Sequence, residues 1–275
     1  MKVSIVGGGN LGSALIQGLL QAKGWRATDV LVCDISGRRI SFLQRKFKIK
    51  TTSKLKEALN FSFILVLAVK PKDMEELLSK LHPHLSPPPL RGRIEEGGKL
   101  FIAVAAGIKT DFLEKKLGKV PVIRVMPNIC VAVGEGVCAY SLGRYTCPSD
   151  EKKFLSLFGG LGETIKMKES FLDLITAVSG SGPAYIFRMI EILAELLEKD
   201  GLNKKMALQI VSQTVFGSGK MVKELKESPE SLRAKVTSPG GTTQAALEVL
   251  EKGGLKEIFS CAVKAARKRA IELGK

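Results

Sequence analysis

The run V-T-S-P-G-G-T-T-Q-A-A-L-E-V-L-E at 236–251 joins a proline, two glycines and two threonines to the start of an amphipathic helix pattern. A helix start presents backbone N–H groups without intrahelical partners, at the positive end of the peptide dipoles. Pro239 has no N–H and fixes the approach of the chain. Gly240 and Gly241 expose backbone without side-chain hindrance. Their N–H groups, with those of Thr242 and Thr243 and the two hydroxyls, form a site suited to a small carboxylate. The rival reading is an ordinary Gly/Thr helix cap. A second chemical run lies at the other end, G-G-G-N-L-G at 7–12, and fits G-x-G-x-x-G. Gly7 permits a tight turn, Gly9 a close approach of backbone to a pyrophosphate, and Gly12 close packing of helix on strand. Histidine chemistry has little to work with: His82 and His84 share a proline-rich loop with no third metal ligand suggested nearby.

The elements around the glycine run fit dinucleotide binding. Val3–Val6 is a β-rich run before it, and an apolar helix pattern from Ser13 to Leu20 follows. A second strand at Val30–Cys33 ends in Asp34, which is 22 positions beyond Gly12, where a carboxylate takes a ribose 2′-hydroxyl. Asp34 favours NAD, whereas Ser36, Arg38 and Arg39 follow at once and an arginine there neutralises the 2′-phosphate of NADP. The two signals oppose each other, and solvated residues opening the next helix remain a third reading of the arginines. A third strand is expected near Phe47–Lys50. Phe63–Val69 reads as a buried parallel strand ending in Lys70-Pro71, Phe101–Ala105 as one ending in Ala106-Gly107, and Val122–Val125 as one ending in Met126-Pro127-Asn128. Three strand ends rich in small and turn-forming residues suggest one crevice. The Pro/Gly-rich run at 86–98 reads as a surface insertion.

Helical periods begin near Ser170, dividing the chain into a dinucleotide-binding domain, 1–165, and a helical domain for substrate binding and dimerisation, 166–275. Gly182-Pro183 opens a helix with Ile186, Ile190, Leu193 and Leu197 on one face. Asn203 caps the next, which runs to about Glu227. Gly217 and Gly219 inside it suggest a close helix contact. Ser228-Pro229 is a cap followed by proline at the first helical position. The helix after Gly241 ends at Gly253-Gly254, and a last one runs towards Leu273. Such a bundle is thin, so dimerisation is expected.

The 275 residues are enough to bury one or two cores. The net charge is +16, but the basic residues are dispersed, and no aromatic-basic interleaving points to nucleic acid. No apolar run approaches a membrane span, and no leader pattern precedes the first strand, so a cytoplasmic protein is expected. The five cysteines form no C-x-x-C pair, which argues against structural zinc and a disulfide framework.

Several segments fit one pattern: V-G-G-G-N-L-G-S-A at 6–14, A-V-K-P at 68–71, R-V-M-P-N at 124–128 with G-E-G-V at 134–137, S-G-S-G-P-A-Y at 179–185, and S-P-G-G-T-T at 238–243. In this order and spacing the chain resembles the pyrroline-5-carboxylate reductase family over nearly its whole length. The resemblance implies an α/β Rossmann-like domain followed by an all-α dimerisation domain. It implies reduction of the ring imine of 1-pyrroline-5-carboxylate to L-proline, with NADPH, or NADH as the alternative, and self-association as a dimer or ring of dimers. By resemblance, Gly7, Gly9, Asn10, Leu11 and Gly12 belong to the pyrophosphate loop. Ala68, Val69, Lys70, Pro71 and Gly107 match segments beside the cofactor's ribose and nicotinamide. Gly240, Gly241, Thr242 and Thr243 match the substrate-carboxylate loop, with the Thr243 hydroxyl near the ring nitrogen. Glu169 matches a glutamate that precedes S-G-S-G-P-A-Y and enters as a second catalytic candidate. The long 86–98 insert, Leu55 and Ser62-Phe63 depart from the pattern. A β-hydroxyacid dehydrogenase is a rival, but Ile186 stands where that family needs a lysine. A non-catalytic dinucleotide-binding protein would need no S-P-G-G-T-T.

Overall fold

The apolar runs of the first half become strands covered on both sides, and a computed structural model describes them within residues 1–84 and 98–274. Apart from Gly98, the expected insert at 86–98 lies outside the described residues. The chain begins with β1 (Val3–Val6), α1 (Asn10–Gln21), β2 (Val30–Cys33), α2 (Gly37–Phe47), β3 (Lys50–Thr52), α3 (Leu55–Phe61), β4 (Ile64–Leu67) and α4 (Pro71–Leu81). It continues with β5 (Leu100–Ala103), α5 (Thr110–Leu117), β6 (Val122–Pro127), β7 (Gly136–Leu142), α6 (Pro148–Phe158), β8 (Gly162–Lys166) and the short α7 (Leu172–Ile175).

Among the described residues the strands form one sheet in the order β3-β2-β1-β4-β5-β6-β7-β8. β3 to β6 in that order are parallel, β7 runs antiparallel to β6, and β8 is parallel to β7. Alternate side chains of β1, β2, β4, β5 and β6 feed two cores. Val3 and Ile5 pack with Ile16, Leu43, Phe154 and Phe158 on one side. Val6 packs with Leu65, Met74, Leu78 and Leu113 on the other. Burial on both faces explains why these strands read as continuous apolar runs and not as alternation. Strand order reverses between β1 and β4, which is where open α/β sheets form a ligand crevice beyond their C-terminal strand ends.

One expectation about this half needs correction, and two features were not anticipated. The third strand is Lys50–Thr52, not Phe47–Lys50, because α2 continues to Phe47 and Lys48 closes it in a left-handed conformation, φ 56°. β7 and β8 were not foreseen. Ser62, which departs from the family pattern, is buried: its hydroxyl donates to the Lys2 carbonyl at 2.6 Å and accepts from the Ile64 N–H at 2.9 Å, tying α3 to β1 and β4.

Contacts divide the chain into two compact units, Met1–Ser181 together with the residues from Ala266, and Gly182–Ala265. The first unit thus continues past residue 165. Arg124 of β6 holds Asp173, and Asn128 meets Ser179, so the segment after β8 is tied to the sheet.

The second unit is helical: α8 (Gly182–Lys199), α9 (Lys204–Leu225), α10 (Pro229–Lys235), α11 (Thr242–Lys252) and α12 (Leu255–Glu272), whose last turns group with the first unit. Its caps follow local rules. Asn203 Oδ1 accepts from the Met206 N–H at 3.0 Å, and Ser228 Oγ accepts from Ser231 at 3.2 Å with Pro229 in the first helical position. α8 and α9 meet on Ala194, Ala207 and Val211, flanked by Ile190 and Leu197. A Cβ on Gly217 or Gly219 would meet no neighbouring atom within 4 Å, so among the described residues the close contact expected there is not made. Among the described residues no helix is long and apolar enough to cross a membrane.

Candidate active site

The glycine run forms the β1–α1 turn. Gly7 has φ +103°, and a Cβ there would lie 2.6 Å from the Ala68 carbonyl oxygen, so the turn after β1 is pressed against the end of β4. A Cβ on Gly12 would strike the Gly7 carbonyl oxygen, which fixes how closely α1 can follow the turn. Gly9, by contrast, has open space in front of it and precedes Asn10 and Leu11, the first residues of α1. Two glycines therefore serve close packing, and one faces the space where a helix start offers N–H groups to an anion. This bare-backbone cradle fits a dinucleotide pyrophosphate.

Asp34 and the residues after it brace this turn from β2. Asp34 Oδ2 accepts from the Gly8 N–H at 2.7 Å, and Oδ1 from the Ser36 N–H at 2.8 Å. Ser36 Oγ in turn accepts from the Arg39 N–H at 3.3 Å and so caps α2. Arg39 reaches back to the Gly8 carbonyl through Nε, and to Ser13 Oγ through Nη2 at 2.9 Å. The two arginines therefore differ: Arg39 is built into the turn, and Arg38 is exposed.

The ends of β4, β5 and β6 lie along the same edge, since these neighbours are parallel. Ala68 and Val69 are half-buried after β4, Lys70 is exposed as the cap of α4, and Pro71 opens that helix. Gly107, after β5, has φ +78°, and a Cβ there would lie 2.5 Å from the Gly274 nitrogen. Asn128, at the end of β6, is buried. Its Oδ1 accepts from Cys130 and Val137, and its Nδ2 faces Ser179 Oγ at 3.3 Å.

Glu169, the second catalytic candidate, has both carboxylate oxygens engaged. Oε1 accepts from the Thr110 N–H at 2.8 Å and pairs with Arg124 Nη1 at 3.3 Å, and Oε2 accepts from the Thr110 hydroxyl at 2.9 Å. Arg124 Nη2 binds Asp173 Oδ1 at 2.7 Å, and the arginine side chain is only 3% exposed. One guanidinium is thus forked between two carboxylates, a strong and directional arrangement.

The helix-start loop of the second unit is narrower than the sequence suggests. Gly240, φ +69°, occupies the third position of a turn closed by the Gly241 N–H on the Ser238 carbonyl at 3.0 Å. The Gly240 N–H is taken by Gln244 Oε1 at 2.8 Å. Both glycine N–H groups are therefore taken, by the Ser238 carbonyl and the Gln244 side chain, and the backbone donors left in the first turn of α11 are those of Thr242, Thr243 and Gln244. Thr242 is exposed and Thr243 half-buried.

Known proteins match the chain from end to end. A pyrroline-5-carboxylate reductase of Mycobacterium tuberculosis is 36% identical over 290 residues, spanning 99% of this chain and 96% of that protein. The chain belongs to the pyrroline-5-carboxylate reductase family. Residues 169–273 match the family described as pyrroline-5-carboxylate reductase dimerisation, and residues 2–90 match that described as NADP oxidoreductase, coenzyme F420-dependent. The reductase of Methanosarcina acetivorans is 35% identical, with 100% of this chain and 98% of that protein covered. The crystal structure of the Plasmodium falciparum pyrroline carboxylate reductase with NADP bound superposes with a TM-score of 0.88 at 30% identity, covering 100% of this chain and 98% of that one. The fold class expected from the sequence is thereby established for this family member.

Three features of this member escaped sequence reasoning. Arg124 was visible as a lone charge inside the apolar run V-I-R-V-M-P, and a buried guanidinium demands carboxylates. Asp173 and Glu169 supply them, but nothing local couples residues that far apart. Gln244 carried no signal, because its role depends on the left-handed turn at Gly240.

Proposed function

We propose that the chain reduces 1-pyrroline-5-carboxylate to L-proline at the expense of NADPH, with NADH as the alternative donor, the last step of proline biosynthesis. Full-length membership of the reductase family, with the bare glycine turn and the S-P-G-G-T-T loop intact, carries this reading. The bound cofactor supplies the hydride that reduces C5 of the ring imine. The chain's own task is to hold the pieces and manage one proton. Gly9 and the first N–H groups of α1 take the pyrophosphate. Ala68 to Pro71 and Gly107 line the ribose and nicotinamide. Arg38, exposed beside the Asp34 brace, takes a 2′-phosphate. The N–H groups of Thr242 and Thr243 hold the substrate carboxylate, and the Thr243 hydroxyl faces the ring nitrogen. A protonated imine is already a good hydride acceptor, so no histidine and no strong acid is needed. Positioning supplies most of the acceleration.

We assign cofactor binding to 1–165, and substrate binding and self-association to 166–275. The large apolar side chains left open on the helical unit support pairing with a second copy, and a ring of dimers is the larger assembly proposed. Five free cysteines are in keeping with a reducing, cytoplasmic setting. The test is oxidation of NADPH and NADH by purified protein supplied with 1-pyrroline-5-carboxylate, with proline measured alongside. Equal amounts of oxidised cofactor and proline are expected. A folded, cofactor-binding protein that forms no proline would overturn the assignment.

A further inference from the structure

We propose that Arg124, Glu169 and Asp173 form a positioning clamp for the reduction, and that Glu169 acts through this clamp and not as a proton donor. The inference rests on the reductase reading above. Its physical basis is where the three side chains lead. Thr110, held by both oxygens of Glu169, opens α5 three residues after Gly107 and is itself buried. No side chain of the preceding Lys109 caps that helix, so Glu169 supplies the missing acceptor from a distant segment. Arg124 lies two residues before Met126 and four before Asn128, at the end of β6. Asp173 sits in α7, which runs on into the π-helical turn Thr176–Gly180. The clamp therefore draws together the β5–α5 turn, the end of β6 and the turn that contains Ser179-Gly180.

Two of the ends it gathers, the end of β6 and the Ser179-Gly180 turn, also touch each other. Asn128 Nδ2 faces Ser179 Oγ at 3.3 Å, and a Cβ on Gly180 would lie 2.8 Å from Met126 Cε. These are the M-P-N and S-G-S-G segments, and Glu169 ties the A-G turn to the same arginine through Thr110, so an error at Arg124 is passed to three pieces of the site together. Arginine suits this position because its planar fork can hold two carboxylates in fixed directions, which a lysine ammonium cannot. A displacement of about 1 Å at a reacting centre costs roughly a hundredfold in rate, so a clamp of this kind shows itself in turnover as well as in stability.

The test compares Glu169→Gln, Arg124→Gln and the double variant with wild type. The measurements are kcat, both KM values, the pH dependence of kcat and the folded fraction by circular dichroism. Wild-type turnover reports on the reductase reading, and the ratios to wild type report on the clamp. Each single variant is expected to lose about 10- to 100-fold in kcat per folded site, with the shape of the pH profile kept. The double variant is expected to be little worse than either single one, because all three break the same unit. Arg124→Lys, which keeps the charge but not the fork, is expected to fall between. If the glutamine variants fold poorly, Thr110→Val removes only the hydroxyl donor to Glu169 and is expected to lose a smaller part of kcat with the same profile. Wild-type kcat in all folded variants would reduce the cluster to a fold element and overturn the proposal. So would loss of a limb of the pH profile in Glu169→Gln alone, with Arg124→Gln fully active, since that is the behaviour of a proton donor.

Discussion

Replacing Asp34 with asparagine separates two roles that the same carboxylate could play. If its task is to read the ribose, the change alters the choice between NADH and NADPH. If its task is to brace the glycine turn, both cofactors suffer alike. The geometry favours the brace: the two oxygens accept from Gly8 at 2.7 Å and from Ser36 at 2.8 Å. An asparagine keeps one carbonyl acceptor and turns an NH2 group towards the other donor, so one bond to a charged acceptor is lost. Such bonds are worth about 1.5–3 kcal/mol. Asp34 is half-exposed and water can replace part of the loss, which leaves about 1–2 kcal/mol. For a unit of this size that corresponds to a fall in Tm of roughly 2–8 °C. If the loosened turn must be re-ordered by the ligand, the same energy weakens both cofactors by about 5- to 30-fold. Fluorescence titration with NADPH and with NADH, beside thermal unfolding, measures every term. A ratio of the two dissociation constants that moves more than about tenfold, with NADPH gaining and NADH losing, would refute the brace and restore Asp34 as the ribose reader. Arg38→Ala supplies the contrast, since an exposed guanidinium that meets only the 2′-phosphate affects NADPH alone.

Gly12→Ala is expected to disrupt cofactor binding and lower stability together, because the new methyl would strike the Gly7 carbonyl oxygen. Titration with NADPH and the melting temperature check both effects. Thr243→Ala is expected to reduce turnover far more than cofactor affinity, and intact turnover with collapsed NADPH binding would show that its role lies elsewhere. Burial, then the hydrogen bond to Glu151 at 2.8 Å, pushes the Tyr140 hydroxyl up to about 12. A raised pKa stabilises the fold below the ordinary tyrosine value near 10, and that stabilisation disappears as the pH rises through about 12. Tyr140→Phe is therefore expected to delete the last step of an alkaline absorbance titration and to flatten the loss of stability in that window. The Tyr140 bond, ahead of Lys166, also holds Glu151 below the usual carboxylate range, so acid stability should fall at slightly higher pH in the variant.

What the sequence made legible was governed by local rules. Gly12 is required by an approach distance within its own turn, and the caps Asn203 and Ser228 and the stop at Gly253-Gly254 are each decided within four residues. The slip at the third strand has the same cause seen from the other side: Lys48 ends α2 in a left-handed conformation where glycine is the usual signal, so the helix read as too short. Roles that depend on distant partners were not legible. Spacing put Asp34 at the end of β2, but its oxygens could reach the loop or a ribose. Resemblance singled out Glu169, but its partners are Thr110 and Arg124, which lie 59 and 45 residues away in the chain. Gly240 and Gly241 looked like free donors until the Ser238 carbonyl and Gln244 took them.

The helical unit carries that distinction one step further. The period of α8 identified Ile186, Ile190, Leu193 and Leu197 as a face that wants burial, yet Ile186 and Leu193 remain 40% and 41% exposed. Periodicity states which side of a helix is apolar and is silent on what covers it. Within the chain, α8 meets α9 through Ala194 and Ala207, whose small side chains allow a close approach and leave the larger residues outside it. Phe187, Leu196, Phe216 and Ile258 are at least 52% exposed on the same unit as S-P-G-G-T-T. Exposed apolar surface of this extent marks association surfaces. At about 25 cal/mol per Å², covering them is worth several kcal/mol to an assembly and nothing to a lone chain. The unit that carries S-P-G-G-T-T, the loop proposed for the substrate, is then stabilised largely by a second copy, and dilution that separates the copies should loosen that loop before it disturbs the glycine turn.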